Sequence, residues 1–163
     1  MNEDSVWATD YCAKYAYYDR YDGNSKMNDV QELGIGFSWP NVMPCGIVPN
    51  YYFAKIWPTG SDVQEHVSGF VHILGLNYDY VMPGCIAGNP QQVLQFYTNI
   101  VYNDGAVSAA ADHDWSHANI GVSTPIELCG MTVTPGMGYQ ISMDDSVNTD
   151  DELFFTVKAS YSF

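Results

Sequence analysis

The densest run of reactive side chains in the sequence is Asp112-His113-Asp114-Trp115-Ser116-His117. Strict strand alternation through it sets His113, Trp115 and His117 on one side, where two imidazoles and the carboxylate of Asp112 suit a divalent metal. The rival reading is a polar loop entering a strand, with His117 satisfied by ordinary hydrogen bonds, and the sequence favours it. A second cluster, Asp144, Asp145, Asp150, Asp151 and Glu152, offers five carboxylates to a hard cation such as Ca²⁺. It lacks the D-x-D-x-D-G register of a calcium loop, so it reads as a solvated acidic loop holding, at most, a loosely bound divalent cation. Cys12, Cys45, Cys85 and Cys129 are too widely spaced for a zinc or redox signature and read as isolated thiols. The expectation is a chain with no dedicated cofactor.

The elements that must position these residues are strands. Alternation with period 2 dominates the chain. From Met131 to Met143, the residues Met131, Val133, Pro135, Met137, Tyr139, Ile141 and Met143 share one face, opposite Thr132, Thr134, Gly136, Gly138, Gln140 and Ser142. Leu33, Ile35, Phe37 and Trp39 oppose Glu32, Gly34, Gly36 and Ser38 in the same way. So do Ala118, Ile120, Val122, Ile126 and Leu128, the run Phe70 to Tyr80, and the last eleven residues. Segments near 6–18, 48–57 and 93–103 alternate less cleanly, and the last has a short amphipathic helix at 93–97 as its alternative. The sum is eight strands of about ten residues each.

The connectors differ in kind. Those at 19–29, 59–68, 104–114 and 144–152 are long and acidic, and they hold 13 of the 19 carboxylates. Those at 41–47, 83–91 and 129–130 are mostly shorter and rich in Pro and Gly. In an up-and-down meander, alternate connectors emerge at the same end, so the acidic ones share one rim and the termini share the other. Five Lys and Arg against 19 Asp and Glu give a net charge of −14. So few cations cannot neutralise a row of phosphates, which excludes nucleic acid as a partner.

Hydrophobic residues make up 47% of the chain and charged residues 15%, well below the roughly 25% of an average soluble domain. No apolar run approaches the ~20 residues of a membrane helix. The apolar surface is disposed of by alternation instead. A soluble barrel turns its bulky face inward; a membrane barrel puts it outward and fills the lumen with small and polar groups. Here the polar face is unusually small, with glycines at 34, 36, 75, 121, 136 and 138. An eight-stranded interior is too narrow for the bulky face, so the inverted arrangement fits better. Trp39, Trp57, Tyr80 and Tyr102 lie near strand ends, where aromatic girdles form. Lys14 and Lys158 then face the lumen near Asp10, Glu32 and Glu127, a polar plug of Lys14, Glu32, Glu127 and Lys158. Lys55 falls on the outward face, which suggests a bulge or a different phase in its strand.

The C-terminal Val157-Lys158-Ala159-Ser160-Tyr161-Ser162-Phe163 resembles the final strand of bacterial outer-membrane β-barrel proteins. That resemblance implies a barrel-assembly signal at Tyr161 and Phe163, and the barrel assembly machinery and outer-membrane lipid as partners. Leu33-Gly34-Ile35-Gly36-Phe37-Ser38-Trp39-Pro40 and Ser142-Met143-Asp144-Asp145-Ser146-Val147-Asn148 are similar to pieces of bacterial envelope proteins of this kind. The start Met1-Asn2-Glu3-Asp4-Ser5 shows no signal peptide, and four cysteines depart from the class, as in a C-terminal piece of a larger barrel or an altered chain. His117-Ala118-Asn119-Ile120-Gly121 is faintly similar to the histidine segment of outer-membrane lipid A deacylases. The serine of that segment is replaced by Asn119, and alternation turns Ser116 to the opposite face, so no hydrolase is expected.

The expected fold is all-β: an eight-stranded antiparallel up-and-down β-barrel of transmembrane type, one domain over residues 1–163. The expected role is a monomeric structural, loop-presenting protein of the bacterial outer membrane, or a small passive porin-like channel. The competing reading is a soluble β-barrel or sandwich binding small apolar or carbohydrate ligands through its Tyr and Trp.

Overall fold

The computed structural model describes residues 5–18, 29–59, 68–84, 90–106, 113–128, 130–144 and 150–161. Tyr, Val, Ile, Phe and Thr, the residues that suit a pleated and half-covered surface, carry the chain into strands throughout. They are β1 (Asp10–Tyr18), β2 (Val30–Ser38), β3 (Ile47–Pro58), β4 (Gly69–Pro83), β5 (Gln91–Asp104), β6 (His113–Ser123), β7 (Ile126–Leu128), β8 (Met131–Ser142) and β9 (Glu152–Tyr161). The alternative of a helix at 93–97 is overturned, because β5 runs through it with Val93 facing Val81 and Tyr97 facing Asn77. The helical geometry among the described residues is a single 3₁₀ turn at Pro44–Gly46.

All pairings are antiparallel, and with β6 and β7 taken as one each strand pairs with its sequence neighbour, so the sheet is a meander. β6 and β7 keep one register against β8, with Ser123 facing Gly136 and Ile126 facing Val133. They form one strand interrupted at Thr124-Pro125, where proline has no N–H to give to the ladder. The interruption is stabilised by Gln92, which donates to the Pro125 carbonyl (3.1 Å) and to the Thr124 hydroxyl. Eight strand positions are therefore occupied by nine segments. The closed barrel is corrected in one respect: the sheet curls into a half-barrel and stays open, with β1 and β9 at its two edges.

The strand ends sort as the connector lengths require. Tyr18, Val30, Pro58, Gly69, Asp104, His113, Ser142 and Glu152 lie at the end from which the long acidic connectors leave. The short connectors and both chain termini belong to the other end. Three described glycines make turns that a side chain would resist: Gly105 (φ 74°) after β5, Gly130 (φ 83°) between β7 and β8, and Gly46 (φ 76°) before β3. Asn103 fixes the first by bonding both the N–H (2.7 Å) and the carbonyl (3.1 Å) of Ala106.

One register slip matters for the chemistry. Between Val101/His117 and Tyr102/Trp115 the β5–β6 ladder shifts, leaving Ser116 as the extra residue of a β-bulge.

Candidate functional site: the two faces of the sheet

In β2 the residues Val30, Glu32, Gly34 and Gly36 are buried, while Leu33 and Ile35 are exposed. The concave face thus takes the small and polar set, and the convex face takes the bulky set. The same phase holds in the other strands, because facing residues of an antiparallel pair lie on one side. Leu74, Ile100, Ala118 and Ile141 line one convex rung, and Leu76, Thr98, Ile120, Tyr139 and Leu153 line the next.

Glycine on the concave face makes room for rings from neighbouring strands. A Cβ at Gly34 would collide with the Tyr52 ring; one at Gly121 would meet Tyr97, and one at Gly138 would meet both Tyr97 and Phe154. Three large side chains therefore lie flat across the concavity. Beside Tyr52, the Lys14 ammonium pairs with Glu32 at 3.1 Å and donates to the Tyr18 hydroxyl at 2.9 Å. Tyr18 donates to the second Glu32 oxygen at 2.7 Å, and the Tyr52 hydroxyl donates to the first. Glu32 is thus a hub with three donors, held by β1, β2 and β3. Asn119 and Asn99 join on the concave surface, where Asn119 Nδ2 donates a 2.9 Å hydrogen bond to Asn99 Oδ1.

Two members of the expected plug, Lys14 and Glu32, are brought together. The other two are placed apart: Glu127 accepts from Thr132 (2.6 Å), and Lys158 faces Thr134 on the next rung of β8. Tyr18 and Tyr52 escaped the sequence reading. The signal for Tyr52 was a bulky residue on a glycine-bearing face, legible only once its register opposite Gly36 is known.

The Glu32 hub carries a prediction. Glu32→Ala leaves the Tyr18 and Tyr52 hydroxyls without their acceptor and Lys14 with the Tyr18 hydroxyl but no carboxylate, and each bond to a charged group is worth ~1.5–3 kcal/mol. Since Lys14 is half exposed, the expected loss is about 2–3 kcal/mol by urea titration. Lys14→Met costs under about 1 kcal/mol, because both tyrosines still satisfy Glu32. Equal losses from the two variants would contradict the hub.

The histidine run is corrected. The bulge at Ser116 separates the imidazoles: His113 and Trp115 face outward beside Asp104 and Tyr102, whereas His117 faces inward opposite Val101. His113 Nδ1 engages the Asp104 carboxylate, and Asp112 lies outside the described residues. Alternation failed here because one inserted residue reverses every later side chain. Ser116 is likewise not turned away from its neighbour, for its hydroxyl lies 2.8 Å from His117 Nδ1. That hydroxyl is no nucleophile for an outside substrate, because Ser116 is only 1% exposed. Its carbonyl accepts from the N–H groups of Met143 (3.0 Å) and Asp144 (3.2 Å), so the pair fixes the bulge to the end of β8.

Of the acidic cluster, Asp145 lies outside the described residues. Asp151 accepts from the Ser142 N–H (2.8 Å) and the Tyr139 hydroxyl (3.3 Å), Asp150 is exposed beside it, and Asp144 follows β8. Among the described residues, no three His, Cys, Asp or Glu converge as a metal site. Cys12 and Cys45 are free and exposed, and Cys85, Cys129 and Phe163 lie outside the described residues. Tyr161 ends β9 opposite Met131.

The convex face is ordered along its height. Toward the acidic connectors, rings adjoin from β3 to β6: Phe53 and Phe70 at 5.2 Å, His72 and Tyr102 at 6.1 Å, Tyr102 and Trp115 at 5.4 Å. Polar groups on this face bond to the neighbouring strand: the Tyr51 hydroxyl lies 2.7 Å from His72 Nδ1, Tyr17 donates to Asp29 at 2.9 Å, and Tyr102 to the His113 carbonyl at 3.0 Å. Toward the short connectors stand Tyr11, Trp39, Tyr78, Tyr80 and Tyr161. Lys55 is outward in a ladder without any slip, between Leu33 and Phe70, so the expected bulge is absent there. Its ammonium sits 5.9 Å from the Phe70 ring centre, within the upper aromatic row.

Comparison with known proteins adds no relative: no protein-family model, no curated protein and no solved structure matches the chain.

Proposed function

We propose that the chain is a transmembrane β-barrel of the bacterial outer-membrane type, a passive scaffold that carries four acidic loops on one side of the bilayer. One observation carries this reading. Among the described residues, the buried apolar side chains are the small Val30, Ala54, Val101 and Ala106, whereas Leu33, Leu74 and Ile120 on interior strands are 48–57% exposed. A water-soluble sheet that left its largest apolar residues outside and glycine within would forgo the main driving force of folding. In hydrocarbon the same partition is favourable.

The dimensions agree. Phe70 to Tyr80 spans ten steps of β4, which at ~3.3 Å each and a barrel tilt of ~40° advances roughly 25 Å, the height of an outer-membrane apolar band. Aromatic rows mark both limits of that span, where amphipathic rings sit at the headgroups. Lys55 lies at the upper limit, where its stem crosses apolar surface and its charge reaches water. Tyr161 and Phe163 would serve as the assembly signal.

The test is electrophoretic. The chain folded in detergent should migrate faster unheated than boiled, and should need detergent to stay dispersed. A detergent-free monomer with no heat-dependent shift would instead support the soluble ligand-binding sheet and sink the membrane reading.

A further inference from the structure

We infer that the concave face carries a binding site for a neutral pyranose sugar: an aromatic floor made by Tyr97 and Phe154, set between two rows of polar side chains. The inference goes beyond the scaffold reading and does not rest on it. The floor lies on the opposite side of the sheet from the belt assigned to lipid, so it keeps its chemistry whichever medium meets the convex face.

Glycine lays the floor. Tyr97 on β5 faces Gly121 on β6, which faces Gly138 on β8, which faces Phe154 on β9. A Cβ at Gly121 would run into the far end of the Tyr97 ring, and one at Gly138 would meet both the Tyr97 hydroxyl and the Phe154 ring. Tyr97 therefore reaches across β6 to β8, Phe154 comes in from the other side, and their tips converge over Gly138. Gly138 is buried beneath them, while both rings keep part of their surface on the open concavity. Glycine inside a strand weakens it, and here the space it vacates goes to two rings rather than to a packed core.

The polar rows follow from the register. Two residues toward the long connectors, the facing residues from β5 to β9 are Asn99, Asn119, Gln140 and Glu152. Two residues the other way they are Gln95, Ser123, Gly136 and Thr156. The two rows are thus about 13 Å apart along the strands, with the rings midway between them. Asn119 Nδ2 donates to Asn99 Oδ1 at 2.9 Å, which orients both amides and leaves the Asn99 amide N–H groups and the Asn119 carbonyl for a ligand. Among the described residues, the Tyr97 hydroxyl and the Gln140 amide make no side-chain hydrogen bond. Tyr52, laid over Gly34 in the same manner, differs on this point: its hydroxyl is spent on Glu32. The Tyr52 ring belongs to the fold, and the Tyr97 ring is free to serve a guest.

A pyranose matches this arrangement group by group. Its C–H face lies on aromatic rings, and the hydroxyls around its rim need partners that both donate and accept, as amides and hydroxyls do. A purely apolar guest would bury the amides without replacing their hydrogen bonds to water. The one charge in either row is the Glu152 carboxylate, which disfavours an anionic sugar.

The experiment titrates the full chain with cellobiose, whose ring hydroxyls are equatorial, in a detergent without a sugar headgroup. Binding is read by saturation transfer to the sugar's ring protons. Cellobiose should bind with a Kd on the order of 1 mM, and glucuronate at least tenfold more weakly. Tyr97→Ala should weaken cellobiose binding about tenfold or more and Gln140→Leu about fivefold, whereas Tyr97→Phe, which keeps the floor, changes it by less than about threefold. Gln140→Leu supplies the test should Tyr97→Ala fail to fold. Tyr80→Ala, on the convex face, is the control and should bind like the parent. No transfer to cellobiose from the folded chain overturns the site, as does binding that survives both Tyr97→Ala and Gln140→Leu unchanged. A loss confined to Tyr80→Ala places the sugar on the convex face and overturns it equally. Glucuronate binding as tightly as cellobiose overturns the preference for a neutral sugar. Sugar binding and heat-dependent mobility report on opposite faces, so either can fail without the other.

Discussion

On the membrane reading proposed above, Ile120→Arg is expected to lower the unfolding free energy of the protein in lipid or detergent by about 2–4 kcal/mol, the cost of a cation on a lipid-facing position near mid-depth. Ile120 sits in the middle of the β6–β7 strand, on a convex rung with Leu76, Thr98, Tyr139 and Leu153. It is 57% exposed, so the substitution removes little packing. That makes the variant diagnostic. On a water-exposed sheet, arginine at such a site changes stability by no more than about 0.5 kcal/mol and raises solubility. Urea titrations in lipid vesicles, with Lys55→Arg as a reference at the margin of the belt, measure the difference. A neutral Ile120→Arg would mean that the convex face is not in hydrocarbon.

Gly34→Val costs more than about 3 kcal/mol or prevents folding. Valine is a better strand former than glycine, so propensity alone predicts a gain of up to ~1 kcal/mol. Sterics reverse the sign. The new Cβ occupies the space of the Tyr52 ring, and expelling that ring also removes a donor from Glu32. The double variant Gly34→Val with Tyr52→Ala should recover most of the loss, because the space and the ring are removed together. Folded yield and urea midpoints of the single and double variants are the readout. A stable Gly34→Val single variant would show that the ring does not lie over Gly34.

Much of the fold was legible because alternation is a strong signal when the two faces differ so sharply in size. Gly34 and Gly36 against Leu33, Ile35 and Phe37 fix the phase of β2 without any structure. Gly136 and Gly138 against Met137 and Tyr139 do the same for β8. The alternation of long and short connectors fixed the meander and the common rim. The bulge at Ser116 was not legible, since an extra residue in a ladder leaves no mark of its own in composition. It undid the proposed metal pair, because His113 and His117 are four residues apart in sequence but on opposite sides of the sheet. The Glu32 hub was half legible. Lys14 and Glu32 share a polar phase, but Tyr18 and Tyr52 lie on strands whose alternation is blurred, and their roles depend on cross-strand register. The interruption at Pro125 split one expected strand in two without changing its pairing, which local rules on proline anticipate better than periodicity does.

The rings laid across Gly34, Gly121 and Gly138 carry a consequence for how such a chain drifts over time. Each ring borrows volume that another strand has given up, so neither partner is free to change alone. A larger residue at position 34 demands a smaller one at 52, and a gain at 138 must be met by losses at 97 and 154, whereas Gly121 is held by the Met137 backbone carbonyl as well as by Tyr97. Descendants of this sequence would therefore keep the summed volume of each pair while exchanging its members, and would diverge in couples on the concave side but singly on the convex one.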